Sequence, residues 1–282
     1  MAQADRLRLG VIGDPVEHSI SPAMQQPALD ELGIRATYER WHTPLDELPA
    51  RIESLRAPEV IGANVTVPHK EHVRPLVDEI SDLARRAGAV NTISNHDGRL
   101  FGDNTDVYGL SHSLQLHDDA LNGCHAVVLG AGGAARAVVL ALESVGADRI
   151  CVLNRSLDRA QRLRDELAPA PVEAIDSATP AARDALRSAR VIINATALGW
   201  KPGETPLDAV QIDLLQPGSL VVDSTYKDTD LLEAARSRGL RTLDGLEMLV
   251  FQGARSLEIW TGMQPPVDTM MSAAIAARAA RA

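Results

Sequence analysis

The sequence reads as an α/β protein built from two α/β domains, and three observations lead there. Short apolar runs of strand type alternate with segments of helical periodicity along nearly all 282 residues. A glycine-rich turn starting at Gly130 lies between a strand pattern and a helix pattern, and the polar stretch HDDALNGC separates two such series. The length suits one large domain or two ordinary ones. The expected organisation is a first, mostly parallel α/β domain over residues 1–105 and a second over 106–245, with C-terminal helices at 246–282 packing back on the first.

RLRLGVIG, from Arg6 to Gly13, reads as the first strand, and SPAMQQPALDELGI as a helix with Ser21 as N-cap candidate and Pro22 in its first turn. ATYERWHT alternates as a strand, LDELPARIESL reads as a helix, and VIGANVTVP, closed by Pro68, reads as a strand. KEHVRPLV and ISDLARRAGA carry helical patterns. NTISNHDGRLFGDNTD reads as a hairpin turning at Asp97-Gly98, a pair that tolerates the positive backbone angles of a tight turn. DVYGLSHSLQL is helical and leads into the connector. The second series runs HAVVLG, AARAVVLALESVG, RICVLNR, SLDRAQRLRDELA, VIINAT, SLVVDST and LRTLDG, followed by two helical segments, LEMLVFQGARSLEIWTG and PVDTMMSAAIAARAARA. No internal repeat or low-complexity segment interrupts it.

With 28 Lys and Arg against 38 Asp and Glu, the formal charge of −10 disfavours nucleic acid or an anionic membrane as the principal partner. Aromatics at 3% supply no stacking platform for bases. The start, MAQADRLRLGVIGDP, fits neither a signal nor a transit peptide, and no run reaches membrane-spanning length. Cys124 and Cys151 lack metal-ligand spacing and read as buried thiols of a reducing compartment, so a cytoplasmic location and no metal site are expected.

The clearest motif is HAVVLGAGGAARAVVLAL. A strand ends at Gly130, the chain turns through Ala131, Gly132 and Gly133, and a helix begins near Ala134, with Ala135 at the third position of the G-x-G-x-x-G/A pattern. Glycine lets the backbone turn sharply and approach a pyrophosphate, whose charge the free amides of the helix N-terminus stabilise. This segment predicts a Rossmann-type dinucleotide-binding domain. The next strand ends 24 residues after Gly130, at Asn154, where an acid would select the ribose hydroxyls of NAD. Arg155, Ser156 and Arg159 stand there instead, and guanidinium groups beside a hydroxyl suit a 2′-phosphate, so NADP is expected. Asn194 and Thr196 end another strand, on the edge that faces the ligand in an open parallel sheet.

Polar clusters also follow the strands of the first domain. Ser19 and Ser21 stand two apart, which in an extended segment places both hydroxyls on one side. NVTVPHK adds Asn64, Thr66 and Lys70, AVNT adds Asn91, and GDNTD adds Asn104 and Asp106. VEHSISP, NVTVPHK, GAVNT, GDNTD, GAGGAARA, NRS, NAT and LEMLVFQGA stand in the order seen in shikimate dehydrogenases, and the sequence resembles that family over nearly its whole length. The resemblance implies reversible oxidation of shikimate to 3-dehydroshikimate with NADP, in aromatic amino-acid (chorismate) biosynthesis, by a monomer or homodimer with a ligand cleft between its domains. It implies that Ser19 and Ser21 hold the substrate carboxylate, that Asn64, Thr66, Asn91 and Asp106 bind on the ring side, and that Tyr226 and Gln252 are further substrate contacts. Lys70 and Asp106 would flank the hydroxyl that is oxidised; which of them carries the proton stays open. Gly130, Ala131, Gly132, Gly133, Ala134, Asn154, Arg155, Ser156, Arg159, Thr196, Ser224 and Gly245 fall where the family binds its cofactor.

The sequence departs from the family pattern at Gln25-Gln26, where His-Asn is usual, and at Ala197, Trp200 and Asp228, where serine, methionine and proline are common. Two rival readings remain: a quinate/shikimate or aminoshikimate dehydrogenase of the same superfamily, and an NADP-binding regulatory protein that has lost catalysis. Lys70 and Asp106 together argue against the second, because a sensor has no need of the pair.

Overall fold

The computed structural model describes residues 6–281. Strand β1 (Leu7–Gly13) leads into α1 (Ser21–Glu31), β2 (Ala36–His42), α2 (Leu48–Ser54) and β3 (Val60–Val65). Ser21 is the first residue of α1 and Ile20 its N-cap, so the Ser19–Ser21 segment is not extended; Pro22 lies in the first turn as expected. β3 stops at Val65, three residues before Pro68. The segment KEHVRPLV is a run of turns ending in a single 3₁₀ turn, Arg74–Leu76, not an α-helix. Pro75 has no N–H for a helical ladder, so the apolar spacing there has no continuous backbone to act on.

β4 (Glu79–Ile80) and α3 (Asp82–Ala87) follow. Ser81 caps α3 by accepting from Ala84 N at 3.0 Å. β5 (Thr92–His96) and β6 (Arg99–Asp103) form the expected hairpin, with Asp97 at φ +54 and Gly98 at φ +87, the sign required at both central residues of its turn. α4 (Asp106–His117) comes next. The second series is β7 (His125–Leu129), α5 (Gly133–Ser144), β8 (Arg149–Asn154), α6 (Leu157–Leu167), β9 (Val172–Asp176), α7 (Pro180–Ser188), β10 (Val191–Asn194), α8 (Ala209–Ile212), β11 (Leu220–Asp223), α9 (Asp230–Ser237) and β12 (Arg241–Leu243). Helices α10 (Leu246–Thr261) and α11 (Val267–Ala279) close the chain.

The chain divides into two compact units. One comprises the segment up to Gly109 together with the segment from Val250 onward, the other Leu110–Leu249. The first unit carries a sheet ordered β2-β1-β3-β5-β6-β4. Three of its five pairings are parallel; the two antiparallel ones belong to the hairpin strand β5. Ile12, Val65, Ile93 and Leu100 from the sheet pack with Leu48, Ile52 and Leu55, all essentially excluded from solvent. Each such side chain contributes roughly 1.5–3 kcal/mol by burial.

The second unit carries an all-parallel sheet ordered β12-β11-β10-β7-β8-β9. β7 lies between β8 and β10, so the winding reverses there, which makes the carboxyl end of β7 the topological switch point. Val127, Leu153, Ile192 and Val221 form its core with Leu186 of α7 and Leu231 of α9. Both cysteines are free and buried. Burial pushes the Cys151 thiol up to about 12 and raises that of Cys124, which leaves both unreactive at neutral pH. No helix among the described residues is long and apolar enough to cross a membrane.

Candidate active site

In the first unit, strand register gathers the polar residues at one edge of the sheet. Ile12 of β1 pairs with Val65 of β3, so the segments that follow both strands leave the sheet together. β5 runs against β3, with Val65 N donating to Asn91 O at 2.8 Å, which places the start of β5 at that edge. β6 runs against β5 and delivers Thr105 and Asp106 beside Asn91. The ends of three strands, β3, β5 and β6, thus present Thr66, Lys70, Asn91 and Asp106 along one rim.

Lys70 Nζ donates to Asp106 Oδ2 at 2.6 Å. The lysine side chain is 30% exposed and the carboxylate 12%, so the pair has one face toward solvent. The turn carrying Lys70 is held on both sides: His69 is fully buried with its ring against Thr43 O at 2.6 Å, and Lys70 O accepts from Val90 N at 2.8 Å. Asp106 opens α4, where a carboxylate is favoured by the helix N-terminus.

A buried network fixes the other carboxylate oxygen. Asn91 Nδ2 donates to Asp106 Oδ1 at 2.9 Å and to Thr105 Oγ1 at 3.0 Å, with Gln252 Oε1 at 3.3 Å. Asn91 Oδ1 accepts from Thr105 N at 2.7 Å. Thr92 Oγ1 lies 2.8 Å from Ser256 Oγ, and Ser256 sits one helical turn after Gln252 on α10. Asn64 belongs to this network: its Oδ1 accepts from Tyr38 Oη at 2.7 Å, and its Nδ2 donates to Ser256 Oγ at 2.9 Å and Asn91 O at 3.2 Å. Burial raises the Tyr38 hydroxyl pKa far above the ordinary phenol value and keeps it a donor. Asn64 therefore spends its amide on the scaffold. Tyr38, Thr92, Thr105 and Ser256 complete the network, and sequence reading did not single them out; the spacing of Gln252 and Ser256 on one helix face was the available signal.

Ser19 Oγ accepts from Ser21 N at 3.2 Å, and Ser19 O accepts from Arg40 at 2.8 Å. The hydroxyls of Ser21 and Thr66 make no hydrogen bond among the described residues. Gln25 and Gln26, two of the departures, each make a tertiary hydrogen bond, while Gln25 Oε1 is buried with no partner among the described residues. Buried Gln25 donates to Gly253 O at 2.9 Å and ties α1 to α10, and Gln26 Oε1 accepts from Tyr38 N at 2.9 Å.

In the second unit a cavity of about 420 Å³ opens at the switch point. Gly130, Ala131, Gly132, Asn154, Arg155, Arg159 and Thr196 line it. Gly130 has φ +102, and a Cβ there would lie 2.9 Å from Thr196 Cγ2, so the turn requires glycine. A Cβ on Gly132 would meet nothing, which leaves open space over the turn. Arg155 and Arg159 have no carboxylate partner among the described residues. Gly133 and Ala134 form the first turn of α5 rather than the lining, and Ser156 is the N-cap of α6. Ser177, which follows β9, and Gln211, which lies within α8, also line the cavity and were not anticipated, because neither element was recognised.

Asn194 organises the adjacent loop. Its Oδ1 accepts from Thr196 Oγ1 at 2.7 Å, and its Nδ2 donates to Asp223 Oδ2 at 3.0 Å. Asp223, fully buried, also accepts from Thr225 and Thr229. Ser224 Oγ donates to Asn194 O at 3.0 Å, and a Cβ on Gly245 would lie 2.3 Å from Ser224 O, so Ser224 and Gly245 brace this loop from outside the cavity lining. Tyr226 meets the ring of Trp200 edge to face with centroids 6.2 Å apart, and Lys227 Nζ stands 5.1 Å from the Trp200 ring centre. Asp228 pairs with Arg236.

A doubly wound sheet with a glycine turn and free arginines at its switch point, joined to an α/β unit bearing a preorganised lysine–carboxylate pair, defines an oxidoreductase of the dinucleotide-dependent class. Three family models match the chain: the shikimate dehydrogenase substrate binding domain over residues 11–93, shikimate / quinate 5-dehydrogenase over 113–199, and the shikimate 5′-dehydrogenase C-terminal domain over 245–275. The chain is 44% identical to shikimate dehydrogenase (NADP(+)) of Symbiobacterium thermophilum over 277 residues, 95% of this chain and 94% of the relative. Shikimate 5-dehydrogenase from Thermus thermophilus, solved in complex with NADP(H) and shikimate, superposes with a TM-score of 0.87 at 40% identity, covering 96% of this chain and 99% of that one. Quinate dehydrogenase from Corynebacterium glutamicum, solved with NAD, superposes with a TM-score of 0.85 at 31% identity over 96% and 99%. The chain belongs to the shikimate dehydrogenase family.

Proposed function

We propose that the protein catalyses the reversible oxidation of shikimate to 3-dehydroshikimate with NADP, as a step of aromatic amino-acid (chorismate) biosynthesis, in the cytoplasm, as a monomer or homodimer. The observation that carries this reading is the Lys70–Asp106 pair, 2.6 Å apart and braced by Asn91. Oxidising a secondary alcohol removes a hydride from carbon and a proton from oxygen. NADP, when bound, supplies the hydride acceptor. The residues of the second-unit cavity fit it: the open turn at Gly130–Gly132 admits a pyrophosphate, and the partnerless Arg155 and Arg159 suit a 2′-phosphate.

The substrate proton passes to the Lys70–Asp106 pair, which returns it in the reverse direction. Asn91 and the Thr105 backbone hold Asp106 in one orientation, so the pair needs little rearrangement during the reaction. Ser19, Ser21 and Thr66 are assigned to the substrate's carboxylate and hydroxyls, with Gln252 and Tyr226 as further contacts. The uncommitted hydroxyls of Ser21 and Thr66 support this assignment. Asn64 acts by bracing Asn91 and Ser256.

The test is a set of initial rates crossing shikimate and quinate against NADP and NAD. Rapid turnover with shikimate and NADP alone is the expected pattern. Preference for quinate or NAD would overturn the corresponding assignment, and no turnover with any pair would favour a non-catalytic dinucleotide-binding protein.

A further inference from the structure

A second cavity, of about 300 Å³, lies in the first unit against the edge strand β4, and neither Lys70 nor Asp106 lines it. It is lined by Arg74, Val77, Asp78, Glu79, Ile80 and Arg85. The two acids are already engaged. Arg56 binds Asp78 through Nη1 at 2.6 Å and Nη2 at 3.2 Å, Leu100 N adds a bond to Asp78 at 2.7 Å, and Glu79 pairs with Arg99.

The two lining arginines are not matched in this way. Arg74 has no carboxylate within ion-pair distance among the described residues, and its Nε is buried without any hydrogen-bond partner. Its one hydrogen bond runs from Nη1 to Gly88 O at 3.5 Å, the outer limit for such a bond. Arg85 reaches only the fully exposed Asp82, at 3.8 Å, and Ile80 O at 3.4 Å. Counting the Arg56–Asp78 and Arg99–Glu79 pairs as neutral, the lining keeps the charge of Arg74 and that of Arg85, the latter offset only by the long contact to exposed Asp82, in a chain of net charge −10. A buried charged donor left unpaired is costly, and planar guanidinium groups are matched best by oxyanions. Helix capping by Arg74 accounts for Nη1 and leaves Nε unexplained.

We infer that this cavity binds a small phosphate-bearing anion, with its oxygens on Arg74 Nη2, which makes no hydrogen bond among the described residues, and on the guanidinium of Arg85; the Arg74 Nε–H beside it is the reporter. The chemistry is that of a tetrahedral oxyanion; inorganic phosphate is the probe, and acetate tests the planar alternative. The measurement is the arginine Nε–H region of the ¹H–¹⁵N spectrum of the full chain, titrated with phosphate against NaCl of equal ionic strength. The Arg74 signal is identified as the one missing from Arg74→Lys. Expected is a saturable shift of that signal with a dissociation constant on the order of 1 mM, weakened about tenfold in Arg85→Ala by loss of one charge-assisted contact. This readout is site-specific, so phosphate at Arg155 and Arg159 is not mistaken for it. An Arg74 signal that stays still while others move would overturn the site, a shift produced equally by NaCl would reduce it to screening, and equal affinity for acetate would overturn the phosphate assignment.

Discussion

Replacing Lys70 with Met keeps the length of the side chain and removes Nζ, the donor 2.6 Å from Asp106 Oδ2. Two effects of different size follow. For stability, the variant leaves a carboxylate only 12% exposed with the Asn91 amide as its remaining neighbour in the pair site. Losing a charge-assisted hydrogen bond of this kind costs roughly 1.5–3 kcal/mol, reduced here because the lysine is partly solvated. A fall in melting temperature of a few degrees is expected. For catalysis, one member of the proposed proton-transfer pair is gone, and a positioned acid or base is worth about 10²- to 10⁴-fold, or roughly 3–5 kcal/mol of barrier. Steady-state kinetics with shikimate and NADP should therefore show kcat lowered by that factor with KM changed less than about tenfold, since Ser21 and Thr66 are untouched. A kcat within about threefold of wild type would refute the proton-transfer role, and a loss confined to KM would make Lys70 a binding residue only.

Arg155→Gln removes a guanidinium that lines the second-unit cavity without a carboxylate partner among the described residues, so on the proposed cofactor assignment KM for NADP should rise about 10- to 100-fold while KM for NAD stays nearly constant; dual-cofactor kinetics read both. Gly130→Ala forces a side chain into φ +102 with a methyl 2.9 Å from Thr196, so roughly 1–3 kcal/mol of stability and most dinucleotide affinity should be lost, measured by thermal unfolding and cofactor titration. Glu39 tests acid stability. The hydrogen bond from Arg8, opposed by partial burial and reinforced by Trp41 and Thr37, lowers its carboxyl from 4.5 to about 2. Because the folded state holds this proton more weakly than the unfolded chain, the stabilisation is present above pH 4.5 and disappears as the pH falls toward 2. For a pair whose side chains are 42% and 36% exposed it amounts to about 1 kcal/mol after solvent screening. Urea unfolding across that range should show a shallower acid loss for Glu39→Gln than for wild type, and identical slopes would remove the assignment.

How far the sequence carried the reading depended on whether a signal was local. The glycine turn at Gly130, the Asp97-Gly98 hairpin and the alternation of strands and helices are set by nearby backbone and side-chain demands, and each was visible. β9 was not, because it is the edge strand of its sheet and only Ile175 of its five residues is buried, which leaves no apolar run to notice. KEHVRPLV misled in the opposite way: its apolar spacing is helical, but the turn that carries Lys70 and the proline at position 75 leave room for one 3₁₀ turn only. Ser21 read as a cap because its residue type and place suited one, yet Ile20 took that position and left the serine hydroxyl outside the capping bonds.

Asn64 marks the deeper limit of sequence reading. At the end of a strand, an amide that meets a ligand and one that braces its neighbours have the same local pattern, and only tertiary hydrogen bonding distinguishes them. Asn64, Asn91, Thr92, Thr105 and Ser256 bond largely to one another, as buried polar groups must. The hydroxyls of Ser21 and Thr66 stand outside that closed set, and Lys70 has a single hydrogen-bonded side-chain partner, Asp106. Donors left over at a rim whose scaffold is otherwise satisfied have to be matched by water or by substrate. The closed network therefore gives the rim its rigidity, while the open groups are the ones proposed to meet the substrate. Asp106 is where the two sets meet, with one oxygen fixed by the scaffold through Asn91 and the other bound by Lys70.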